Sequence, residues 1–239
     1  DMSKEIPGHA QVVIIGGGIV GCSVAYHLTK LGWTDVVLLE RKELASGTTW
    51  AAAGLLAQLR QNQEMTNLAK YTVDLYEGLE AETGEATGFR RNGAVAVCQT
   101  EDRRFELLRG AAMARAFGIE MHEVSTKEAG ELVPGMRTDD LVAAFYLPRD
   151  GITSPIETTR SLAKGAKMRG AKIFENVRVS GIKTEKGAVC GVSTDQGDVT
   201  CEYVVNCAGM WGRQVGQMVD VSVPLHAAEH MHAVTLPIE

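Results

Sequence analysis

The chain has 239 residues, 45% hydrophobic and 23% charged, with a net charge of -6, the balance of a globular chain long enough to bury a core. No block of lysine or arginine gathers into a footprint for phosphate backbones, which argues against a nucleic-acid partner. Five cysteines, odd in number and without a CxxC pair, fit packed thiols in a reducing compartment better than a disulfide frame or a zinc site. No apolar run nears the roughly 20 residues of a membrane span, and no charged-then-apolar export signal opens the chain. The bacterial cytoplasm or the mitochondrial matrix is the expected compartment.

Val12 to Ile15 is a short apolar run of the kind buried on both faces of a parallel sheet. Gly16, Gly18 and Gly21 follow in GxGxxG spacing, and Val20, Val24, Leu28 and Leu31 recur at helical intervals before Gly32. Val36 to Leu39 reads as a second buried strand, closed by Glu40, nineteen residues after Gly21. Strand, glycines, helix, strand and acid in this order make the dinucleotide fingerprint strong. Gly16 permits the turn, Gly18 admits a pyrophosphate, and Gly21 brings helix and strand together. The helix N-terminus, with Ile19 and Val20, offers unpaired N–H groups to phosphates, and Glu40 accepts from a ribose hydroxyl.

SGTTWAAAGL, residues 46 to 55, is then rich in small residues and hydroxyls around one tryptophan. Residues 66 to 82 read as an amphipathic helix with Leu68, Tyr71, Leu75 and Leu79 on one face. From Gly88 to Gly151 the pattern changes to a strand pair, a helix near 101 to 117, HEVSTKEAGELVPGM and a strand-like LVAAFYLP, an inserted mixed α/β region. A helix from about Ile156 to Arg169 leads into KIFENVRVSGI, a hairpin turning at Asp195 to Gly197, and a buried strand at Tyr203 to Cys207 that ends in small residues, as though the chain returned to the first sheet. Pro224 onward, PLHAAEHMHAVTLPIE, reads as a strand entering the second layer. His230 and His232 then share one strand face without an acidic or cysteine ligand set, so no metal site is expected among His226, His230 and His232.

An NAD enzyme of the simple doubly wound type would follow Glu40 with another βαβ unit, and this chain does not. GGGIVGCSVAYHLTKLG, LLERKELASGTTW, AGLL, YEGLEAETGEATGFRRNGAV, VVNCAGMWG and PLHAAEHMHAVTLPIE together resemble the dimethylglycine dehydrogenase and sarcosine dehydrogenase family, within the D-amino-acid-oxidase superfamily of FAD-dependent oxidoreductases. The resemblance runs along essentially the whole chain. It implies an α/β fold: a Rossmann-like FAD-binding domain with an inserted mixed α/β substrate domain, as the flavoprotein part of a longer chain. The division implied is 1–87 and 152–222 for FAD binding, 88–151 for the substrate-domain insertion, and 223–239 for the start of a further substrate-domain strand.

By the same resemblance the cofactor is FAD. Arg41, Ser46, Gly47, Thr48, Thr49, Trp50, Ala51, Gly54, Leu55 and Leu56 wrap its pyrophosphate and ribityl chain, and Cys207, Ala208, Gly209 and Trp211 approach from the other side. Val179 corresponds to a position whose backbone meets adenine, an ordinary strand valine being the alternative. The family carries a flavin-linking histidine directly after the tryptophan. Here the residue is Ala51, which implies FAD held without a covalent bond and a weaker oxidant.

The activity implied is oxidative demethylation of an N-methyl glycine-type amine such as sarcosine or dimethylglycine, by hydride transfer to flavin and release of formaldehyde from the iminium. The electron acceptor is left open. Arg60 is the first candidate to anchor the substrate carboxylate, Arg90 and Arg91 are weaker ones, and surface solvation is the alternative for all three. The strand carrying His230 and His232 borders the substrate pocket in the family, where either histidine could meet the amine or serve structural hydrogen bonding. Tetrahydrofolate is implied only with a C-terminal half that these residues do not include. A relative of a different class, similar to the regulatory subunit of pyruvate dehydrogenase phosphatase, shares the VNCAG and PLHA segments and also lacks the linking histidine.

Overall fold

The computed structural model describes residues 5–231 and 233–236. In chain order the elements are β1 (His9–Ile15), α1 (Ile19–Lys30), β2 (Val36–Leu39), β3 (Leu55–Leu56), α2 (Gln63–Thr83), β4 (Ala94–Cys98), α3 (Glu101–Ala116), β5 (His122–Val124), α4 (Thr126–Leu132), β6 (Ala143–Leu147), β7 (Gly151–Ile152), α5 (Pro155–Met168), β8 (Lys172–Phe174), β9 (Val179–Glu185), β10 (Ala188–Thr194), β11 (Gly197–Asn206), a 3-10 turn (Gly209–Trp211) and α6 (Gly212–Gln217). They form two compact units. The first takes Asp1–Ala53, Leu79–Thr87 and Pro155–Glu239; the second takes Gly54–Gly78 and Gly88–Ser154. Gly54–Gly78 thus lies in the second unit, where the sequence reading groups residues 1–87 together.

The first unit is built on a six-stranded sheet in the order β8-β2-β1-β11-β10-β9. β8, β2, β1 and β11 run parallel, and β10 and β9 complete it antiparallel. Read by strand succession within the sheet, the parallel part has the order third, second, first, fourth of a doubly wound fold. The apolar runs are continuous because both faces are covered. Val13, Ile15, Val37 and Leu39 pack with Phe174, Val177, Val192, Val199 and Val215. Val12, Ile14, Val36 and Leu38 are buried as well, on the alternate face. β11 pairs along β1 from His9↔Thr200 to Ile15↔Asn206, so the chain does come back to the first strand. β11 is longer and less covered than the expected Tyr203–Cys207, with Tyr203 exposed.

α1 forms where its spacing predicts, but its buried face is Gly21, Cys22, Ala25, Tyr26 and Thr29. Val20 and Leu31 are exposed. Small residues bring the helix closer to its neighbours than a Val/Leu stripe allows, and helix–sheet packing selects that face. Tyr26 fills the remaining volume, its ring lying against Gly165 of α5, where a Cβ would sit 2.8 Å from the ring, and its hydroxyl donating to Glu82 at 2.7 Å.

In the second unit β4, β6 and β5 form an antiparallel sheet with β6 in the centre, and β3 pairs with β7. Leu107, Ala111 and Ala114 of α3 pack with Phe145, Leu147 and Met121. Thr100 caps α3, and Ser125 with Glu128 forms a capping box on α4, which fixes both helix starts. α2 spans the expected range, with Val73 and Leu79 buried, whereas Leu68 and Tyr71 are exposed, correcting the expected stripe. The expected strand pair before α3 reduces to β4 and a single bridge, Arg90↔Ile152. From Pro224 to Leu236 the described residues form no strand; a strand needs a ladder partner, and none pairs with this segment among the described residues.

Candidate functional site

Each glycine at the end of β1 is held by a different steric demand. Gly16 has φ +112°, and a Cβ there would lie 2.4 Å from the Cys207 carbonyl oxygen. At Gly21 a Cβ would lie 1.9 Å from the Gly16 carbonyl oxygen, so α1 can start this close to β1 only with hydrogen at that position. Gly17, outside the fingerprint, is equally constrained: a Cβ would meet Leu44 at 2.6 Å and Glu40 at 2.8 Å. Gly18 differs from all three. Its backbone is extended, with φ -76°, and a Cβ would meet only the Thr49 hydroxyl at 3.1 Å. The space over Gly18 is a cradle that a side chain would fill, as a pyrophosphate contact requires.

Glu40, at the end of β2, ties this turn to the segment that leaves β2. Its carboxylate accepts from Gly17 N–H at 2.6 Å and Lys42 N–H at 2.9 Å. Two oxygens with about four lone-pair directions leave capacity for ribose hydroxyls. Beside it, Val177 N–H donates to the Glu40 carbonyl at 2.8 Å and Asn176 N–H to that of Lys42 at 2.9 Å, while Glu175 accepts from Leu44 N–H at 2.6 Å. The NVRV segment therefore runs along the end of β2. Val179 opens β9 two residues later, half-buried against the apolar cluster and paired with Thr194.

The tryptophan loop is a succession of tight turns: Ser46 N–H to Glu43, Trp50 N–H to Gly47, Ala51 N–H to Thr48 and Ala52 N–H to Thr49. Ala45 enters it at φ 63°. Ser46, Gly47 and Thr48 are exposed and Trp50 is 60% exposed. Thr49 turns inward, its hydroxyl accepting from Ile19 N–H at 3.0 Å. It caps α1 from outside, taking one of the helix's unpaired donors where Gly18 has no side chain to do so. Ala51 is half-buried. Gly54, Leu55 and Leu56 belong to the second unit; Gly54 has φ +74° and its carbonyl accepts from Thr153 N–H, and Leu55 is exposed.

β11 delivers the other side. Cys207 N–H donates to the Ile15 carbonyl at 2.9 Å. Asn206 organises the exit: its side chain accepts from Ala208 N–H at 3.2 Å and donates to the Gly212 carbonyl at 2.8 Å. Gly209 has φ +54°, and Trp211 lies under the Arg41 guanidinium, 3.8 Å from carbon to ring centre. Burial raises the Cys207 thiol, and burial with the Glu40 charge pushes Cys22 up to about 12. Both stay protonated at neutral pH, as packing groups do. One site edge therefore gathers Gly16, Gly18, Ile19, Gly21, Glu40, Arg41, Thr49, Cys207 and Trp211.

The catalytic candidates are less gathered. Arg60, in the second unit, is exposed, and its backbone is tied to the Thr66 hydroxyl. Arg91 is committed to Glu77 and to the Arg149 carbonyl. His226 and His230 are exposed, and His232 lies outside the described residues. Among the described residues no three metal-binding side chains cluster. Residues the sequence reading passed over are Gly17, Glu175 and Asn206, together with Asp150. Asp150 is buried, accepts from Gln58 N–H at 3.0 Å, and has its carboxyl raised by that burial. Only Asn206, at a strand end before small residues, carried a local signal.

The family described as "FAD dependent oxidoreductase" (DAO) matches residues 11–239. The chain is 43% identical to human sarcosine dehydrogenase over 99% of its length, covering 26% of that protein. It is 42% identical to the mouse pyruvate dehydrogenase phosphatase regulatory subunit over 98% of its length, covering 27% of that protein. It therefore spans about a quarter of the curated relatives it matches. Among solved structures, L-proline dehydrogenase from P. horikoshii aligns with a TM-score of 0.85 at 28% identity, over 90% of this chain and 56% of that one. The fold is thus that of FAD-dependent oxidoreductases.

Proposed function

Because the chain belongs to the family of FAD-dependent oxidoreductases, we propose that it is the flavin-binding part of an amine oxidoreductase acting on an N-methyl glycine-type substrate such as sarcosine or dimethylglycine. The observation that carries the reading is the cradle over Gly18, bounded by the α1 N-terminus, Glu40 and Thr49. When bound there, FAD supplies the hydride acceptor for an N-methyl carbon.

The chain's own residues hold and orient. Gly18 and Val20 present backbone to the pyrophosphate beside Ile19, whose N–H the Thr49 hydroxyl holds, with the positive end of α1 behind it. Glu40 takes the ribose hydroxyls with the acceptor capacity left after Gly17 and Lys42. Ser46, Gly47, Thr48 and Trp50, with Gly54, Leu55 and Leu56, line the path toward the flavin, Val179 meets adenine, and Cys207, Ala208, Gly209 and Trp211 close the other side. Ala51 has no nitrogen to link, so the flavin is held without a covalent bond. Arg60 remains the candidate carboxylate anchor, since Arg91 is already paired. Residues 88–151 form the substrate region in this reading; tetrahydrofolate would need a further domain.

The deciding experiment is an anaerobic absorbance spectrum of the full-length protein with and without sarcosine or dimethylglycine, before and after acid precipitation. Flavin absorbance that bleaches with the amine and is released by acid is the expected result. Bound flavin that neither amine bleaches favours a second reading, a non-catalytic relative, which Ala51 and the 42% identity to the phosphatase regulatory subunit support. Gly18→Val supplies the site control. Its extended φ accepts a side chain, and the Cβ presses on the Thr49 hydroxyl that caps α1, so the apoprotein should lose no more than about 1 kcal/mol while flavin binding is lost; retained flavin sinks the site.

A further inference from the structure

Among the described residues the second unit buries three polar side chains, Gln58, Thr66 and Asp150. All three act on one short stretch. Asp150 accepts from Gln58 N–H at 3.0 Å, the Gln58 amide donates to the Arg149 carbonyl at 2.8 Å, and the Thr66 hydroxyl accepts from Arg60 N–H at 3.1 Å. The stretch from Gln58 to Arg60 is thus held at both ends. Its supports are fixed in turn: Thr66 donates to the Asn62 carbonyl at 2.8 Å, Asn62 caps α2 by accepting from Met65 N–H at 2.8 Å, and the Asp150 carbonyl accepts from Gly93 N–H at 2.9 Å. Burying a carboxyl, an amide and a hydroxyl is unfavourable, and water would satisfy the backbone of an exposed connection between β3 and α2 without them. What the stretch carries outward is Arg60, exposed and, among the described residues, without an ion-pair partner. Burial raises the Asp150 carboxyl while the Gln58 N–H and the Arg60 charge act against it, so acid and guanidinium are within electrostatic reach of each other.

We propose that Gln58, Thr66 and Asp150 are positioning residues for Arg60: they fix the backbone on which its guanidinium stands, so that the fork of donors meets the substrate carboxylate in one orientation. The inference rests on the reading of Arg60 as the carboxylate anchor and adds the groups that make that anchor selective. A long side chain on a loose loop attracts any anion weakly. On a fixed backbone less freedom remains to be lost when two parallel bonds to a carboxylate form. The discrimination gained is between amines that carry a carboxylate and amines that do not.

The test is anaerobic stopped-flow bleaching of flavin in the full-length protein by sarcosine and dimethylglycine, with N-methylethanolamine and N,N-dimethylethanolamine as their neutral alcohol counterparts. Bleaching rate against amine concentration gives Kd and the limiting rate, and competition gives Kd for each alcohol. Thr66→Val and Asp150→Ala should each raise Kd for the carboxylate amine about tenfold, with much smaller changes in its limiting rate and in Kd for the alcohol. Thr66→Ser and Asp150→Asn keep an acceptor for the same N–H and should recover most of the loss. Arg60→Met should remove the preference for the carboxylate, and adding Thr66→Val to it should lower that preference no further. Thr66→Val is isosteric and carries the test should Asp150→Ala not fold. A preference unchanged in Thr66→Val, or Kd raised equally for amine and alcohol, overturns the positioning alone. A preference unchanged in Arg60→Met overturns the anchor and its positioning together. Bound flavin that neither amine bleaches in the wild type overturns the functional reading, and this inference with it.

Discussion

The glycine turn and the tryptophan loop lie against each other yet are specified in opposite ways. At Gly16, Gly17 and Gly21 the protein itself occupies the space beside each Cα, with backbone or side-chain atoms 1.9 to 2.8 Å from where a Cβ would sit. Across the loop, Ser46, Gly47, Thr48 and Trp50 are exposed, and a Cβ on Gly47 would meet nothing within 4 Å. The turn is filled by the protein's own atoms, while the loop turns the side chains of Ser46 and Thr48 outward. Gly18 and Thr49 meet at the seam, a Cβ on the first lying 3.1 Å from the hydroxyl of the second, which is bonded into α1.

The sharpest way to break this contrast is Gly21→Ala. One methyl placed 1.9 Å from the Gly16 carbonyl cannot be absorbed by a rotamer change, because backbone is on both sides. It should separate α1 from β1 at a cost of about 3 kcal/mol or more. A chemical-denaturation midpoint near that of the unsubstituted protein would show that the turn has slack the geometry does not suggest.

That difference also sets what the sequence reveals. β1, β2 and the turn were legible because burial on both faces and steric exclusion leave few residue types possible, and those types stand adjacent in the chain. The packing face of α1 was not legible: Val20 and Leu31 fit the helical period, but Gly21, Cys22 and Ala25 are the buried face, and hydrophobicity does not register closeness. Partners distant in sequence were equally hidden. Glu175 bonding Leu44, Asn206 bracketing its turn, and Arg41 meeting Trp211 across β1 depend on strand order, which no local pattern prints. The tail after Pro224 alternates like a strand, yet alternation states a capacity for pairing, and no partner stands beside it among the described residues.

Thr49→Val tests the seam. The substitution keeps shape and removes the acceptor of Ile19 N–H, so the apoprotein should lose about 1 kcal/mol. Thr49→Ser should recover most of that loss. Flavin affinity should fall alongside stability, because the same hydroxyl positions the first turn of α1 that faces the cofactor. If affinity fell with stability untouched, Thr49 would belong with the exposed hydroxyls of the loop and its bond to Ile19 would carry little.

The smallest effect on stability is expected where the proposed flavin contacts are densest. Ser46→Ala and Thr48→Ala each remove an exposed hydroxyl from backbone turns that the main chain closes by itself. Stability should therefore move by no more than about 0.5 kcal/mol. Each hydroxyl that donates to or accepts from flavin should still be worth about 1 kcal/mol of binding, a rise in Kd of about fivefold. Denaturation of the apoprotein and flavin titration on the same samples separate the two quantities. A loss of stability with unchanged affinity would make the loop scaffold and the turn alone the binding element, which inverts the contrast between them. Unchanged stability with weakened affinity is the pattern required of a surface whose shape is kept by its backbone and whose side chains are reserved for a partner.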